Sequence, residues 1–429
     1  MHYGAALHVG SHGRGVAVMN WRKFEVLAFT FPGQGSQRPG MGSSWKDHPS
    51  FELVDQASEI VGRDVNALLL DTDEETLRRT QNAQLATFVS SLVVLDAAER
   101  LGLEPFACAG HSLGEYSALV ATGSLSYDDG LRLVAERGAA MQDAADGRAG
   151  TMMAVLGLDD GDVEAACVRA EGEVWVANYN APGQVVIAGD QASLDRAGEI
   201  AKSLGAKRVM SFQVGGAFHT PFMAPARERL RKAISEVAFR EPEPLIVANV
   251  DARSHTEPAD WPGLLSAQLC SPVRWRQSLA TLADLGCRTF LELGPGGVLT
   301  GLAKRSLEGD GFSQHSIATP DDLESFAELL AGATATATAE TQRFNMIERF
   351  IVSSATGPFH PAPDFAAAAP TLGPTGAPFE INIGDLIGHA GTAEIRSPFA
   401  GTLMGVIVLK GERVVAGQPV AWLRVEVAE

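Results

Sequence analysis

The stretch Ala109-Gly110-His111-Ser112-Leu113-Gly114-Glu115-Tyr116 sets a serine inside a G-x-S-x-G pattern. Residues 105–109 before it read as a short buried strand, and residues 113–121 after it as the start of a helix. A serine at such a sharp strand-to-helix turn is exposed at the sheet edge, over the positive end of the helix. There its hydroxyl can attack an acyl carbonyl, and the backbone N–H of the next residue, Leu113, can face the developing oxyanion. A chance match in a glycine-rich chain is the competing reading. The strand and helix on the correct sides favour the nucleophile elbow.

A serine hydroxyl is a weak nucleophile until a base takes its proton. His219, in Gly215-Gly216-Ala217-Phe218-His219-Thr220-Pro221, is the best partner: it precedes a helix opening at Pro221 and lies at a domain junction. His111 is the rival, but adjacent residues rarely share the geometry needed to bond through their side chains. A second glycine-rich turn, Phe31-Pro32-Gly33-Gln34-Gly35-Ser36-Gln37, follows the first predicted strand. Glycines there let backbone N–H groups approach a ligand, so the turn could close an oxyanion hole with Leu113. It is not a phosphate loop of the Walker type, because no Gly-Lys-Ser/Thr follows. Arg137 lies on the second helix after the elbow. A buried arginine facing the serine would suit an acyl group that carries a carboxylate, although by spacing alone a solvated arginine is the default.

These residues need a scaffold. From Leu27 to about Leu330, short β-branched runs alternate with longer helical patterns, as expected for a parallel sheet covered by helices on both faces. Candidate strands are 27–31, 106–109, 245–249 and 289–293; helical patterns cover 85–101, 127–145, 221–237 and 320–330. The last opens with Thr319 as N-cap and Pro320 at the first helical position. One segment breaks the rhythm: 152–158, 163–171, 174–178, 185–188, 194–204 and 208–213 read as β-α-β-β-α-β, the order of a ferredoxin-like unit. Alternating Ala and Thr at 331–339 and a Pro-, Ala- and Gly-rich stretch at 353–378 carry linker signals. Residues 379–427 read as a small, turn-rich β domain, with apolar strands at 403–409 and 420–423.

Composition narrows the function classes. The chain has 429 residues, enough for two or three domains, and is 45% hydrophobic. A net charge of −18 without a long basic run argues against nucleic-acid binding. No apolar run reaches transmembrane length, so no membrane partner is expected. Cys108, Cys167, Cys270 and Cys287 lack metal-type spacing and are read as reduced thiols of a cytoplasmic protein. Residues 1–24 are read as a disordered leader without function. His2, His8 and His12 there could suggest metal, but the disordered leader is the favoured reading, and Met19 could be an alternative start.

In order along the chain stand Phe31–Gln37 with Gly40-Met41-Gly42, Gly110–Tyr116, Arg137-Gly138-Ala139-Ala140-Met141, Asn180-Ala181-Pro182-Gly183-Gln184, His219 and Leu293-Gly294-Pro295-Gly296. Together they closely resemble malonyl-CoA:acyl-carrier-protein transacylases, including the acyltransferase domains of polyketide synthases. The resemblance implies an α/β fold: an α/β-hydrolase-like parallel-sheet core (25–148 and 216–330) with an inserted ferredoxin-like subdomain (149–215). It further implies a ping-pong transfer in fatty-acid or polyketide synthesis, with malonyl-CoA and an acyl carrier protein as partners and no cofactor. Ser112 would form the acyl-enzyme, His219 would be the base, oriented by a backbone carbonyl, and the N–H groups of Gln34 and Leu113 would form the oxyanion hole. Arg137 would hold the malonyl carboxylate, and Gln268 matches an active-site glutamine of the family. Gly216–His219 resembles the malonyl-selective form of the motif, with bulky Phe218 leaving little room for a 2-methyl group.

After a linker at 331–378, residues 379–429 resemble a biotinyl/lipoyl-type β domain, through Gly384–Gly388, Ser397–Gly401 and Gly411–Gln418. Such domains carry a prosthetic group on a hairpin lysine. Lys410 stands before a Gly-Glu turn where the family has a different loop, so an unmodified structural or docking domain is expected. Two rival functions stay open: an acyl-thioester hydrolase, against which Arg137 argues, and a catalytically idle carrier-docking module, against which Ser112, His219 and Arg137 argue together.

Overall fold

The computed structural model describes residues 26–212, 214–309, 311–340, 346–363, 365, 379–408 and 410–426. The leader at 1–24, with its histidines and Met19, lies outside the described residues. The chain divides into two units, Met1–Leu329 and Leu330–Glu429.

The first unit is a mixed α/β fold around a parallel sheet. In chain order its strands are β1 (Leu27–Phe31), β2 (Ala107–Gly110), β3 (Thr151–Leu156), β4 (Val174–Ala181), β5 (Gln184–Gly189), β6 (Arg208–Ser211), β7 (Leu245–Val247), β8 (Ser254–His255), β9 (Thr289–Leu293) and β10 (Ser313–Ile317). The core sheet runs β10-β9-β1-β2-β7-β8, parallel through β7 and antiparallel at β8. Strands β1, β2 and β9 are buried along their whole length, as required when helices cover both faces. Phe31 pairs with Gly110, so β1 and β2 end at the same level. The loops leaving them therefore lie side by side at the carboxyl edge of the sheet, where ligands bind in open α/β folds.

Two long helices, Thr80–Arg100 and Tyr127–Gly147, pack on each other, and the first also packs against β9. A Cβ added at Gly138 would stand 3.0 Å from Gln81 Cα, a measure of how closely their backbones approach. Strands β3 to β6 form a second, antiparallel sheet in the order β4-β5-β3-β6, interrupted by the helices Asp160–Arg169 and Gln191–Ser203 in the expected β-α-β-β-α-β sequence. The apolar sides of both helices fill its core with Val163, Cys167, Leu194 and Ala197. Backbone bonds from Tyr179 N to Val273 O and from Val273 N to Ala177 O, both 2.9 Å, tie β4 to the first sheet's side of the unit.

The second unit is described by itself. Its strands are β11 (Met346–Val352), β12 (Gly357–Pro361), β13 (Glu380–Ile381), β14 (Leu386–Ala390), β15 (Ala393–Arg396), β16 (Gly401–Val406), β17 (Arg413–Val414) and β18 (Pro419–Glu426). They form two four-stranded antiparallel sheets, β11-β18-β16-β13 and β15-β14-β12-β17, around Ile351, Phe359, Ile387, Leu403 and Val420.

The expectation of a linker over 331–378 is corrected at two of its described parts. The helix Pro320–Glu340, capped by Thr319 Oγ1 accepting from Asp322 N at 3.2 Å, continues through the Ala/Thr run, because alanine is the best helix former. Strands β11 and β12 also fall inside that stretch, so the β unit begins before residue 379. Among the described residues no helix is long and apolar enough to cross a membrane.

Candidate active site

Two glycines make the turn after β2 possible by close approach. A Cβ at Gly110 would lie 1.9 Å from the carbonyl of Gly114, and one at Gly114 would lie 2.0 Å from Phe31 O. Ser112 between them has a φ of +52°, a conformation that costs a non-glycine residue free energy. Asn249, just past the end of β7, holds it there: its Oδ1 accepts from Ser112 N at 2.7 Å and its Nδ2 donates to Gly110 O at 2.7 Å. The helix Gly114–Ala121 begins at once, with Leu113 as its N-cap.

Ser112 Oγ lies 2.8 Å from His219 Nε2, and His219 Nδ1 lies 2.8 Å from the backbone oxygen of Gln268. Gln268 ends the helix Trp261–Gln268, where carbonyls lack helical partners and carry the negative end of the dipole. A carbonyl only accepts, so the proton sits on Nδ1 and Nε2 is left to take one from Ser112. Burial lowers the His219 pKa to about 3, helped by the positive charge of Arg137 and opposed by the Gln268 carbonyl. The imidazole is therefore neutral and a ready acceptor at pH 7. His219 itself has a φ of +60° and precedes a short turn capped by Thr220 Oγ1.

Arg137, on the helix Tyr127–Gly147, is 1% exposed. It donates to Gln84 Oε1 at 2.7 Å, to Gln268 Oε1 at 2.9 Å and to Ser112 Oγ at 3.0 Å. Among the described residues no carboxylate lies within ion-pair distance of it. A buried guanidinium whose hydrogen-bond partners are all neutral oxygens is an unmatched cation beside the nucleophile, suited to an anionic acyl group. Burial lowers its pKa without threatening its charge.

The imidazole bonded to Ser112 Oγ is that of His219, not His111. His111 Nε2 bonds Asn180 Oδ1 at 2.9 Å and its ring meets Trp275 edge-on. Gln34, half-buried, stands on the loop after β1, and neighbouring Gly33 passes so near that a Cβ there would lie 2.5 Å from His111 O. Ser112, Arg137, His219, Gln34 and the buried Phe218 line one cleft of about 580 Å³. Met152, Asn180, Gln184 and Val186 of the smaller sheet form its opposite wall.

Three buried polar residues of this site were not singled out from sequence. Gln84 anchors Arg137; Asn249 anchors the elbow; Glu115 accepts from Asn249 N at 2.7 Å and from Gln268 Nε2 at 2.5 Å. Glu115 is fully buried, and burial raises its pKa to about 7 against those bonds and the Arg137 charge. Asn249 stands where a signal was available, at the carboxyl end of a core strand.

Sheet order, elbow and serine–histidine pair define an α/β enzyme built for acyl transfer. The family model of the acyl transferase domain matches residues 28–341. The chain belongs to that family. It is 41% identical over 284 residues to the malonyl CoA-acyl carrier protein transacylase of Bacillus subtilis, covering 65% of this chain and 90% of the relative. Among solved structures it resembles an acyl carrier protein S-malonyltransferase from Vibrio cholerae, with a TM-score of 0.67 and 38% identity over 70% of this chain and 99% of that one. It likewise resembles a chain of a solved complex described as a type II PKS acyl-carrier protein with its malonyl-transacylase, with a TM-score of 0.67 and 36% identity over 70% and 98% of the respective chains.

Proposed function

We propose that this chain transfers malonyl from malonyl-CoA to the phosphopantetheine thiol of an acyl carrier protein, through an ester on Ser112. The observation that carries the reading is the unmatched, buried Arg137 guanidinium 3.0 Å from the nucleophile Oγ. It supports a dicarboxylic acyl donor over the simple acyl chains of a hydrolase.

In the first half-reaction His219 Nε2 removes the Ser112 proton as Oγ attacks the thioester carbonyl. The N–H groups of Gln34 and Leu113 meet the oxyanion; among the described residues neither is committed to an acceptor of the protein. The C–S bond breaks, and CoA leaves with the proton from His219. In the second half the carrier thiol gives its proton to His219, attacks the ester, and Ser112 recovers the proton. Arg137 pairs with the malonyl carboxylate throughout. Gln268 acts by its carbonyl on His219 and by its side chain on Arg137. Phe218 disfavours a 2-methyl group, by ~1–3 kcal/mol for one methyl in an apolar pocket.

The parallel core with its elbow supports an α/β-hydrolase-like architecture, and the β4-β5-β3-β6 sheet with two helices supports a ferredoxin-like insert. Two four-stranded antiparallel sheets support a biotinyl/lipoyl-like second unit. Lys410 is exposed beside Gly411, at the turn ahead of β17, and is read as unmodified. Four free cysteines and a CoA thioester donor fit a cytoplasmic setting.

Intact-mass measurement tests the reading. The protein mixed with malonyl-CoA should gain one malonyl group, lose it to an added holo carrier protein, and gain none as Ser112→Ala. A malonyl adduct surviving in that variant removes Ser112 from the mechanism. Discharge to water with the carrier left unloaded favours the hydrolase, and no adduct at all favours a docking module.

A further inference from the structure

The catalytic groups are joined by a residue that touches none of the reacting atoms. We infer that Glu115 is a positioning residue: its carboxylate fixes the orientation of the Gln268 side chain and of Asn249, and through Gln268 sets the aim of Arg137 at the acyl carboxylate. This inference rests on the transacylase reading above.

Glu115 is the second residue of the helix Gly114–Ala121, and its side chain turns into the protein rather than toward water. Each carboxylate oxygen meets a different donor: Oε1 takes the backbone N–H of Asn249, and Oε2 takes Gln268 Nε2. Both carboxylate oxygens face donors, and the Ser112 carbonyl can only accept. The Gln268 amide therefore presents its NH2 group to Glu115 and to Ser112 O, the latter at 2.8 Å. Its Oε1 is left to face Arg137 Nη2 at 2.9 Å. With the opposite amide orientation an NH2 group would confront the guanidinium, donor against donor, and Arg137 would lose one of its three anchors.

The second arm works on the nucleophile. Asn249, whose N–H is held by Glu115, is the residue that accepts from Ser112 N and braces Gly110 O. One carboxylate thus ties the end of β7 and the end of the helix Trp261–Gln268 to the elbow. No direct hydrogen bond joins Glu115 to Arg137 among the described residues; Gln268 lies between them. The carboxylate's high pKa, with burial as its main cause, agrees with a site where the bonds it accepts matter more than its charge.

Glu115→Gln tests this with almost no change of shape. A glutamine has one acceptor oxygen and one NH2, so one of the two donors that Glu115 serves must face another donor. Rates of acyl-enzyme formation from malonyl-CoA and from acetyl-CoA are measured by intact mass in the full-length protein and in the variant, with kcat and KM separated. The malonyl rate constant should fall roughly 10- to 100-fold, the size of one lost charge-assisted hydrogen bond, with acetyl transfer falling much less. A merely structural Glu115 would lower both rates alike and leave their ratio unchanged, which overturns the inference. A pure counter-charge to Arg137 would on removal tighten malonyl-CoA binding at an unchanged kcat, which overturns it too. Wild-type protein that forms no malonyl adduct would instead overturn the transacylase reading.

Discussion

Polar side chains are buried very differently in the two units of this chain. In the first, Ser112, Glu115, Arg137, His219, Asn249 and Gln268 are all buried and joined in one hydrogen-bonded network. In the second, the buried polar side chains among the described residues are Ser353 and Ser397, and each bonds the backbone two residues on, donating to the carbonyl and accepting from the N–H of Ala355 or Phe399. Burying an arginine or a glutamate is costly unless partners compensate, and such groups cluster where chemistry needs them. The two serines close turns beside an apolar core, a requirement of folding alone. The contrast favours residues 26–329 as the place of the chemistry.

Replacing the base tests that contrast most severely. His219→Ala should lower acyl-enzyme formation roughly 10²- to 10⁴-fold, the usual contribution of one general base. The same variant has an opposite and smaller signature in stability. With a folded pKa of about 3 against 6.5, native His219 binds no proton where the unfolded chain does. Its contribution to stability is complete above pH 6.5 and shrinks as pH falls toward 3. Wild type should therefore lose more stability than His219→Ala between pH 7 and pH 4 in denaturant titrations. Equal losses would mean that the histidine is not held neutral by burial.

Arg137→Ala sharpens the contrast by separating a ligand-facing charge from a structural one. Breaking a buried charge pair costs about 2–5 kcal/mol, so malonyl transfer should fall roughly 30-fold to several thousandfold. Acetyl-CoA lacks the carboxylate, and its transfer should hold steady or rise relative to malonyl-CoA. The ratio cancels general damage to the fold. Equal losses for both donors would make Arg137 a structural residue, and the dicarboxylic donor would lose its main physical support.

The parts of this site that were legible in the sequence are those whose chemistry forces local sequence. The elbow needs small residues at Gly110 and Gly114, because backbone stands within 2.0 Å of where their Cβ atoms would be, so it leaves a pattern. His219 sits at a strained turn between glycines and a proline, which also shows. Gln84, Glu115 and Asn249 leave none. Gln84 lies on a helix buried on nearly every face, where no periodicity marks which polar residue turns toward Arg137. Glu115 in a first helical turn reads as an ordinary complement to the helix dipole; its burial comes from the approach of Gln268, 153 residues away. The β unit was misread for a compositional reason. Strand β12 includes two prolines, Pro358 and Pro361, and composition alone marks such a stretch as linker. Yet β12 pairs with β14 and β17, with Pro361 opposite Gly388 and Pro358 opposite Arg413.

The smallest expected effect would break the contrast if it proved large. A chain ended after Glu340 keeps every residue of the cleft, every hydrogen bond around Ser112, and almost all of the stretch that matches the acyl transferase domain. In the second unit Asp385 serves a turn of its own, accepting from Asn382 N at 2.7 Å. No step of the first half-reaction calls on that unit. Malonyl-CoA should therefore acylate Ser112 in the shortened chain within about twofold of the full-length rate, the scale of a change that touches no transition-state contact. Acyl-enzyme formation followed by rapid-quench mass measurement reads this directly, with circular dichroism to check that the shortened chain is folded. A drop of tenfold or more in a folded, shortened protein would mean that the β unit contributes to acylation itself, and chemistry could no longer be assigned to the first unit alone.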